Sequence, residues 1–149
     1  MGNTTKVNNA IIFDGNCAEA ITYYEKIFNI KAKKILHYKD VPEIIHDDVY
    51  PRMKDFSTSN LIRMAVIEIG GVDFRFMDLV DGINMRQTER LAFMIIDTIT
   101  NAQVYYKNMV KAGCAEVQIM PRKRFFSEFN AIVIDKFGIK WTFDGGYKF

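Results

Sequence analysis

The chain has 149 residues, of which 49% are hydrophobic, 13% aromatic and 26% charged, and its formal net charge is +2. This composition excludes a disordered chain, which would be poor in apolar residues and strongly charged, and it offers no excess of basic residues for nucleic acid or an anionic membrane. At this length we expect one domain, built as a whole or from two small halves that share a core.

The start of the chain and its cysteines predict a cytoplasmic protein. The segment MGNTTKVNN lacks the basic start and apolar run of a signal peptide, and no apolar stretch approaches the roughly 18 residues of a membrane span. Cys17 and Cys114 stand outside any CxxC spacing, so the sequence predicts neither a disulfide framework nor a thiolate zinc site. We expect no membrane partner.

The first half of the chain predicts a strand, a helix and three more strands. Residues 11–13 are an apolar run closed by the turn sequence DGN. Across residues 18–28 the apolar positions recur at intervals of three and four, which predicts an amphipathic helix with Asn16 as its N-cap. The three following strands are predicted at residues 31–38, 61–69 and 72–78, with Gly70 and Gly71 in the last hairpin.

The second half repeats this order. A strand is predicted at residues 91–96, then a helix capped by Thr98 or Thr100 and ended by Gly113. The three remaining strands are predicted at residues 115–120, 128–134 and 139–144, and FG at 137 and 138 joins the last two.

An internal duplication explains the repeated order. AITYYEKIFNIKA aligns with AQVYYKNMVKAGC 82 positions later, whereas AVIEIGGVDFRF aligns with IVIDKFGIKWTF 67 positions later. The difference of 15 positions predicts an insertion in the first half, at about 41–60, where prolines and polar residues are typical of a loop. We therefore expect a single domain over residues 1–149, with module 1 at about 7–80 and module 2 at about 89–146.

Two segments resemble a known superfamily. FDGNCAEAITYYEKIFNI, together with DKFGIKWTF, is similar to the vicinal oxygen chelate superfamily of glyoxalase, bleomycin-resistance and extradiol dioxygenase proteins, in particular its PhnB-like branch, often labelled 3-demethylubiquinone-9 3-methyltransferase-like. The likeness covers nearly the whole chain. It implies an α+β fold of tandem βαβββ modules that form a curled mixed sheet around a cavity, in a homodimer.

The methyltransferase label is not supported by the residues. Binding of a nucleotide-like cofactor calls for a glycine-rich loop from a strand into a helix, whereas Gly70 and Gly71 lie between two predicted strands. We expect no such cofactor.

The resemblance also implies where a metal would bind. In metal-dependent members His, Gln or Glu ligands come from the first and last strand of each module. Carried onto this chain, the last-strand positions are Arg75 and Thr142, and the first-strand positions are Asn8 or Asn9 and Arg90 or Leu91. None of these is His, Glu or Asp, and an arginine repels a cation. We expect no metal.

The two histidines are the other metal candidates. His46, Asp47 and Asp48 fall in the predicted insertion, where a charged trio is typical of a solvated loop. His37 lies on a predicted strand, and we interpret it as structural or pocket-lining.

What remains is a pocket with arginine at its centre. Arg75 and Arg90 are suited to bidentate recognition of carboxylate or phosphate, so we hypothesise a small anionic ligand. The alternative is that both arginines neutralise local acids such as Asp73, Asp78 or Glu89. The candidate pocket residues are Arg75, Arg90, Thr142, Asn9, His37 and Trp141.

The sequence thus favours a metal-free protein that binds or sequesters a small molecule and is not an enzyme. The alternative is a metal-dependent glyoxalase-type lyase or isomerase, or a dioxygenase, and a third possibility is an enzyme that uses only arginines and acids. PRKRFFSEF, residues 121–129, interleaves basic and aromatic residues, but nearby glutamates dilute its charge. We interpret it as a pocket rim or dimer contact and expect no nucleic-acid partner.

Overall fold

The computed structural model describes residues 5–40, 60–78 and 90–149. Its elements in chain order are β1 Asn9–Phe13, α1 Cys17–Phe28, β2 Lys34–His37, a 3₁₀ turn Tyr38–Asp40, β3 Ile62–Ile69, β4 Val72–Asp78, β5 Phe93–Asp97, α2 Ile99–Ala112, β6 Cys114–Arg124, β7 Ser127–Asp135 and β8 Lys140–Tyr147. The predicted insertion, except for Asn60, lies outside the described residues, and so do His46, Asp47 and Asp48.

The strands form two mixed four-stranded sheets. The first has the order β1-β4-β3-β2 and the second has the order β5-β8-β7-β6. In each sheet the first strand of the module pairs in parallel with the last, and the other pairs are antiparallel. The α+β fold of tandem βαβββ modules is therefore confirmed, whereas enclosure of a cavity stays a prediction.

The chain divides into two compact units. Among the described residues, the first unit holds residues 5–25, 29–40 and 60–78, and the second holds residues 26–28 and 90–149. The last turn of α1 thus belongs with the second unit, where Phe28 contacts Trp141 with ring centroids 5.4 Å apart.

The core of the first unit lies on one face of its sheet. Alternate residues of β4 are buried, and Phe76 contacts Phe13 of β1 and Tyr24 of α1 at centroid distances of 5.3 and 5.4 Å. Each such large apolar side chain contributes about 1.5–3 kcal/mol when it is fully buried. We call the face of a sheet that carries these buried core side chains its core face, and the opposite face its open face.

The start of α1 is capped differently from the prediction. Asn16 occupies the N-cap position, but its side chain makes no capping hydrogen bond. Instead, Asp78 at the end of β4 accepts hydrogen bonds from the backbone N–H groups of Cys17, at 2.9 Å, and Ile62, at 2.8 Å. A buried carboxylate in β4 therefore ties the helix to the sheet, and burial raises the pKa of Asp78 above its ordinary value.

The second unit uses another connection between helix and sheet. Thr98 caps α2 as expected, because its hydroxyl accepts from the backbone N–H of Asn101 at 3.1 Å. Gly145 of β8 lies against the start of this helix, so that a Cβ built on it would be 2.6 Å from Ile99 Cα. Glycine is required at Gly145 because any side chain would collide with the helix backbone.

Candidate functional site

Arg75 lies on the open face of the first sheet. Side chains alternate along a strand, so Arg75 points away from the core face that holds Phe74 and Phe76. Strand register places it beside Ala10 of β1 and Val66 of β3. Arg75 is half-buried, and its Nη1 donates to Met64 Sδ at 2.9 Å.

Two of the three acids named in the alternative for Arg75 have other partners. Asp73 forms an ion pair with Lys33 at 2.9 Å, and Asp78 accepts from backbone N–H groups. Glu89 lies outside the described residues. None of the ion pairs between described residues involves Arg75. Its guanidinium is therefore held by a thioether, which is a weak acceptor.

Thr142 lies on the open face of the second sheet, beside two apolar residues. Its register partners are Met94 of β5 and Ile132 of β7. The Thr142 hydroxyl donates to Asp144 Oδ2 at 3.2 Å. Asp144 lies two residues further along β8 and therefore on the same face.

Asp144 and Asn130 form a buried polar pair that the sequence interpretation missed. Asn130 Nδ2 donates to Asp144 Oδ1 at 2.8 Å, and the two residues are register partners on β7 and β8. They are 3% and 1% exposed. The signal was present in the sequence, because Thr142 and Asp144 have the spacing of two that places both on one face.

The family's metal positions do not carry metal ligands in this chain. The residue in register with Arg75 on β1 is Ala10, and the residue in register with Thr142 on β5 is Met94. The first unit offers a methyl group and a guanidinium at these positions, and the second unit offers a thioether and a hydroxyl, whereas a divalent ion favours imidazole and carboxylate ligands. The described part of the chain also contains no group of three His, Cys, Asp or Glu that could hold one. In neither unit do the residues at these positions fit the metal that the fold implies.

Of the other predicted pocket residues, Asn9 and His37 lie in the first unit and Arg90 lies in the second. Asn9 is in register with Phe74, on the opposite face from Arg75. Arg90 is exposed and precedes β5 by three residues. His37 ends β2, where its Nδ1 is 3.6 Å from Asp40 Oδ2. Within the first unit, neither Asn9 nor His37 is a register neighbour of Arg75.

Trp141 belongs to the core of the second unit. It is fully buried, contacts Phe93 in a tilted arrangement with ring centroids 5.2 Å apart, and donates from Nε1 to Asp135 Oδ2 at 2.9 Å. Asp135 Oδ1 accepts from the backbone N–H groups of Phe137 and Ile139. The D-x-F-G-x-x-W part of the sequence motif therefore fixes the hairpin between β7 and β8, and its tryptophan is not on the open face.

Neither cysteine has the features of a nucleophile. Cys17 is fully buried, and its burial, followed by the nearby Asp78 charge, raises the pKa of its thiol strongly. Burial also raises the pKa of Cys114. A reactive cysteine needs a lowered pKa, so both thiols are structural.

The hairpin between β6 and β7 carries an aromatic surface. Phe125 is 80% exposed and contacts Phe126 at a centroid distance of 5.2 Å, while the Arg124 guanidinium lies 5.1 Å from the Phe126 ring centre. Its interpretation as a dimer contact or pocket rim stays a prediction.

Several solved structures share this fold. Protein PA1353 from Pseudomonas aeruginosa has a TM-score of 0.75 and 18% identity over 95% of this chain and 98% of that one. The PhnB protein from Bacillus cereus has a TM-score of 0.70 and 18% identity over 94% and 98%. A point mutant of the fosfomycin resistance protein FosX from Listeria monocytogenes, complexed with Mn(II) and 1S,2S-dihydroxypropylphosphonic acid, has a TM-score of 0.65 and 12% identity over 97% and 94%.

These likenesses define the class of the protein by its fold. The chain has the fold of the glyoxalase and bleomycin-resistance proteins, so the fold that the resemblance implied is confirmed. No family model matches the chain, and no curated protein matches it. In the described ranges no helix is long and apolar enough to cross a membrane.

Proposed function

We propose that this protein binds a small anionic molecule without a metal, and that Arg75 is the residue that recognises the anion. The observation that carries the proposal is the Arg75 environment: a half-buried guanidinium on an open sheet face whose partner is a thioether sulfur. We expect a binding or sequestering role rather than catalysis.

The chemistry of the guanidinium supports an anionic ligand. Arginine stays charged at all physiological pH values and presents a planar fork of N–H donors that matches carboxylate, phosphate and phosphonate groups. Among the residues that the structure describes, the guanidinium donates to Met64 Sδ, and the other donors of the fork are available to a ligand. Partial burial lowers the local dielectric and strengthens a charge-assisted hydrogen bond.

The surroundings of Arg75 favour a ligand with an apolar body. Its register partners Ala10 and Val66 offer no competing charge, and Met64 is an adaptable side chain. The FosX protein, which has this fold, is complexed with a phosphonate in the presence of Mn(II). The donor set in this chain differs, so we propose anion binding without the metal. A homodimer in the cytoplasm stays a prediction from the resemblance.

A calorimetric titration tests the proposal. Phenylphosphonate and benzoate serve as anionic probes, with benzyl alcohol as the neutral probe of similar shape. Arg75→Met keeps the length of the side chain and removes its charge, and we expect it to weaken anion binding by about 10- to 100-fold. Lys107→Met, on an exposed position of α2, removes one charge elsewhere and is the matched control.

Two results would contradict the proposal. One is equal binding of phenylphosphonate to the wild type and to Arg75→Met. The other is one equivalent of tightly held nickel, zinc, manganese or iron per chain in protein purified without chelator, which would favour the glyoxalase-type enzyme instead.

A further inference from the structure

We infer that the open face of the second sheet contains a subsite for an ammonium group, formed by Asp144 and Asn130 with Thr142 beside them. The subsite would take a small organic amine with an apolar body. The inference uses residues of the second unit alone and does not rest on the anion-binding role of Arg75.

The first observation is an unsatisfied acceptor. Asn130 is only 3% exposed, and among the described residues its Oδ1 is a buried side-chain atom without a hydrogen-bond partner. The orientation of the amide follows from its neighbour, because Nδ2 donates to the Asp144 carboxylate and Oδ1 would be repelled by it. Leaving a buried acceptor unsatisfied is unfavourable, so a donor is missing at Oδ1.

The second observation is a buried carboxylate without a counter-charge among the described residues. Asp144 is 1% exposed, and within that part of the chain its side-chain donors are the Asn130 amide and the Thr142 hydroxyl, both neutral. No ion pair between described residues involves Asp144. Arg122, the register partner of Asn130 on β6, is exposed and forms no such pair. A buried charge is unfavourable unless it is paired, so the site favours a positively charged donor.

An ammonium group fits these acceptors better than a metal ion. Asn130 Nδ2 lies against Asp144 Oδ1, so the amide hydrogen atoms occupy the space where a cation bridging both side-chain oxygens would sit. An ammonium group has three hydrogen atoms and can donate separately to Asn130 Oδ1 and to the free lone pairs of the carboxylate.

The apolar part of the ligand has a surface to lie on. Met94 and Ile96 of β5 are 51% and 54% exposed, and Ile96 is the register partner of Asp144. Exposed apolar side chains next to buried acceptors are complementary to an amine with one charged end and one apolar end. This arrangement defines the ligand class as a small alkyl or aryl amine.

An NMR titration of ¹⁵N-labelled full-length protein tests the inference. The probes are benzylammonium chloride, benzyl alcohol, phenylacetate and manganese chloride. We expect benzylammonium to produce saturable shifts of the Asn130 side-chain NH₂ signals, and phenylacetate to produce none there. Asp144→Asn should weaken benzylammonium binding by about 10- to 100-fold, whereas Lys107→Met should bind it like the wild type.

The inference is overturned by any of four results. These are no saturable shift in the wild type up to the solubility limit of benzylammonium, equal binding to Asp144→Asn, equal binding of benzyl alcohol and benzylammonium, or saturable manganese broadening at Asn130 that Asp144→Asn abolishes. The wild-type titrations decide the matter even where the variant does not fold. Because the probes for Arg75 are anions and the probe here is a cation, the two proposals fail separately.

Discussion

Replacing Asp135 with asparagine should destabilise the protein more than its conservative size suggests. The carboxylate is fully buried, and its two oxygens accept from three N–H groups, those of Phe137, Ile139 and the Trp141 indole, at 2.9 to 3.0 Å. An asparagine oxygen can still accept from the two backbone groups. Its NH₂ then faces the indole N–H, so a donor meets a donor.

The magnitude follows from the number of donors left without an acceptor. The indole N–H and the new amide NH₂ are both buried, and each unsatisfied buried donor costs about 1–3 kcal/mol. We therefore expect Asp135→Asn to lower the free energy of unfolding by about 2–4 kcal/mol, a large part of the total for a domain of this size.

Urea unfolding followed by fluorescence measures this change, because Trp141 is the sole tryptophan of the chain. Asp73→Asn is the matched control, since this aspartate is 44% exposed and its ion pair with Lys33 is a surface pair worth about 0–1 kcal/mol. The reasoning is refuted if both variants lose the same free energy with unchanged denaturant slopes.

Two further changes test how the helices are held. Gly145→Ala places a Cβ against the Ile99 backbone and should lower the free energy of unfolding in urea by about 1–3 kcal/mol. Gly15→Ala is the control and should cost less, because a Cβ there meets nothing within 4 Å and only backbone strain acts. Equal losses in the two variants would contradict the close contact at Gly145. Asp78→Asn should change the pH dependence of stability. Burial, the largest cause, raises the pKa of Asp78 in the folded state, so the native state holds this proton more tightly than the unfolded chain. Its contribution to the free energy of unfolding is present below the ordinary pKa and is lost as the pH rises through the raised value. As the pH rises through this acidic window, the wild type should therefore lose stability relative to Asp78→Asn. The control Asp73→Asn should behave like the wild type. Parallel curves of stability against pH for the wild type and Asp78→Asn would exclude the effect.

Periodicity in the sequence predicts whether each described element is a helix or a strand, but it does not predict the first and last residue of every element. The strand predicted at residues 72–78 is observed as Val72–Asp78. The strand predicted at residues 115–120 continues to Arg124, past Pro121, because β6 is bulged and pairs with β7 through several register shifts. Bulges insert residues out of step with the alternation, so a period of two cannot follow the strand there.

The sequence predicts which face of a sheet a candidate site residue occupies, because alternation along one strand decides this. It does not predict the neighbours of that residue on the adjacent strand, because these depend on the register of two strands. Alternation along β4 places Arg75 on the open face from the sequence alone. Its neighbour on β1 is Ala10 rather than Asn9, because the register of two parallel strands far apart in the chain is fixed by core packing and not by local sequence. Alternation along β8 is also enough to predict the face on which Asp144 lies. Its burial, which gives the carboxylate its chemical significance, depends on the neighbouring strands.

The two modules carry different residues at two positions that the duplication makes equivalent. Asp78 and Gly145 correspond at the offset of 67, yet one binds a helix start through a carboxylate and the other by allowing close approach of the backbone. Arg75 and Thr142 correspond in the same way. Arg75 places a hydrogen-bond donor on the open face of the first sheet, whereas Thr142 lies beside the acceptor Asp144 on the open face of the second. The shared motif therefore specifies the hairpin and the core, whereas the proposed ligand chemistry rests on the open-face residues in which the two halves differ.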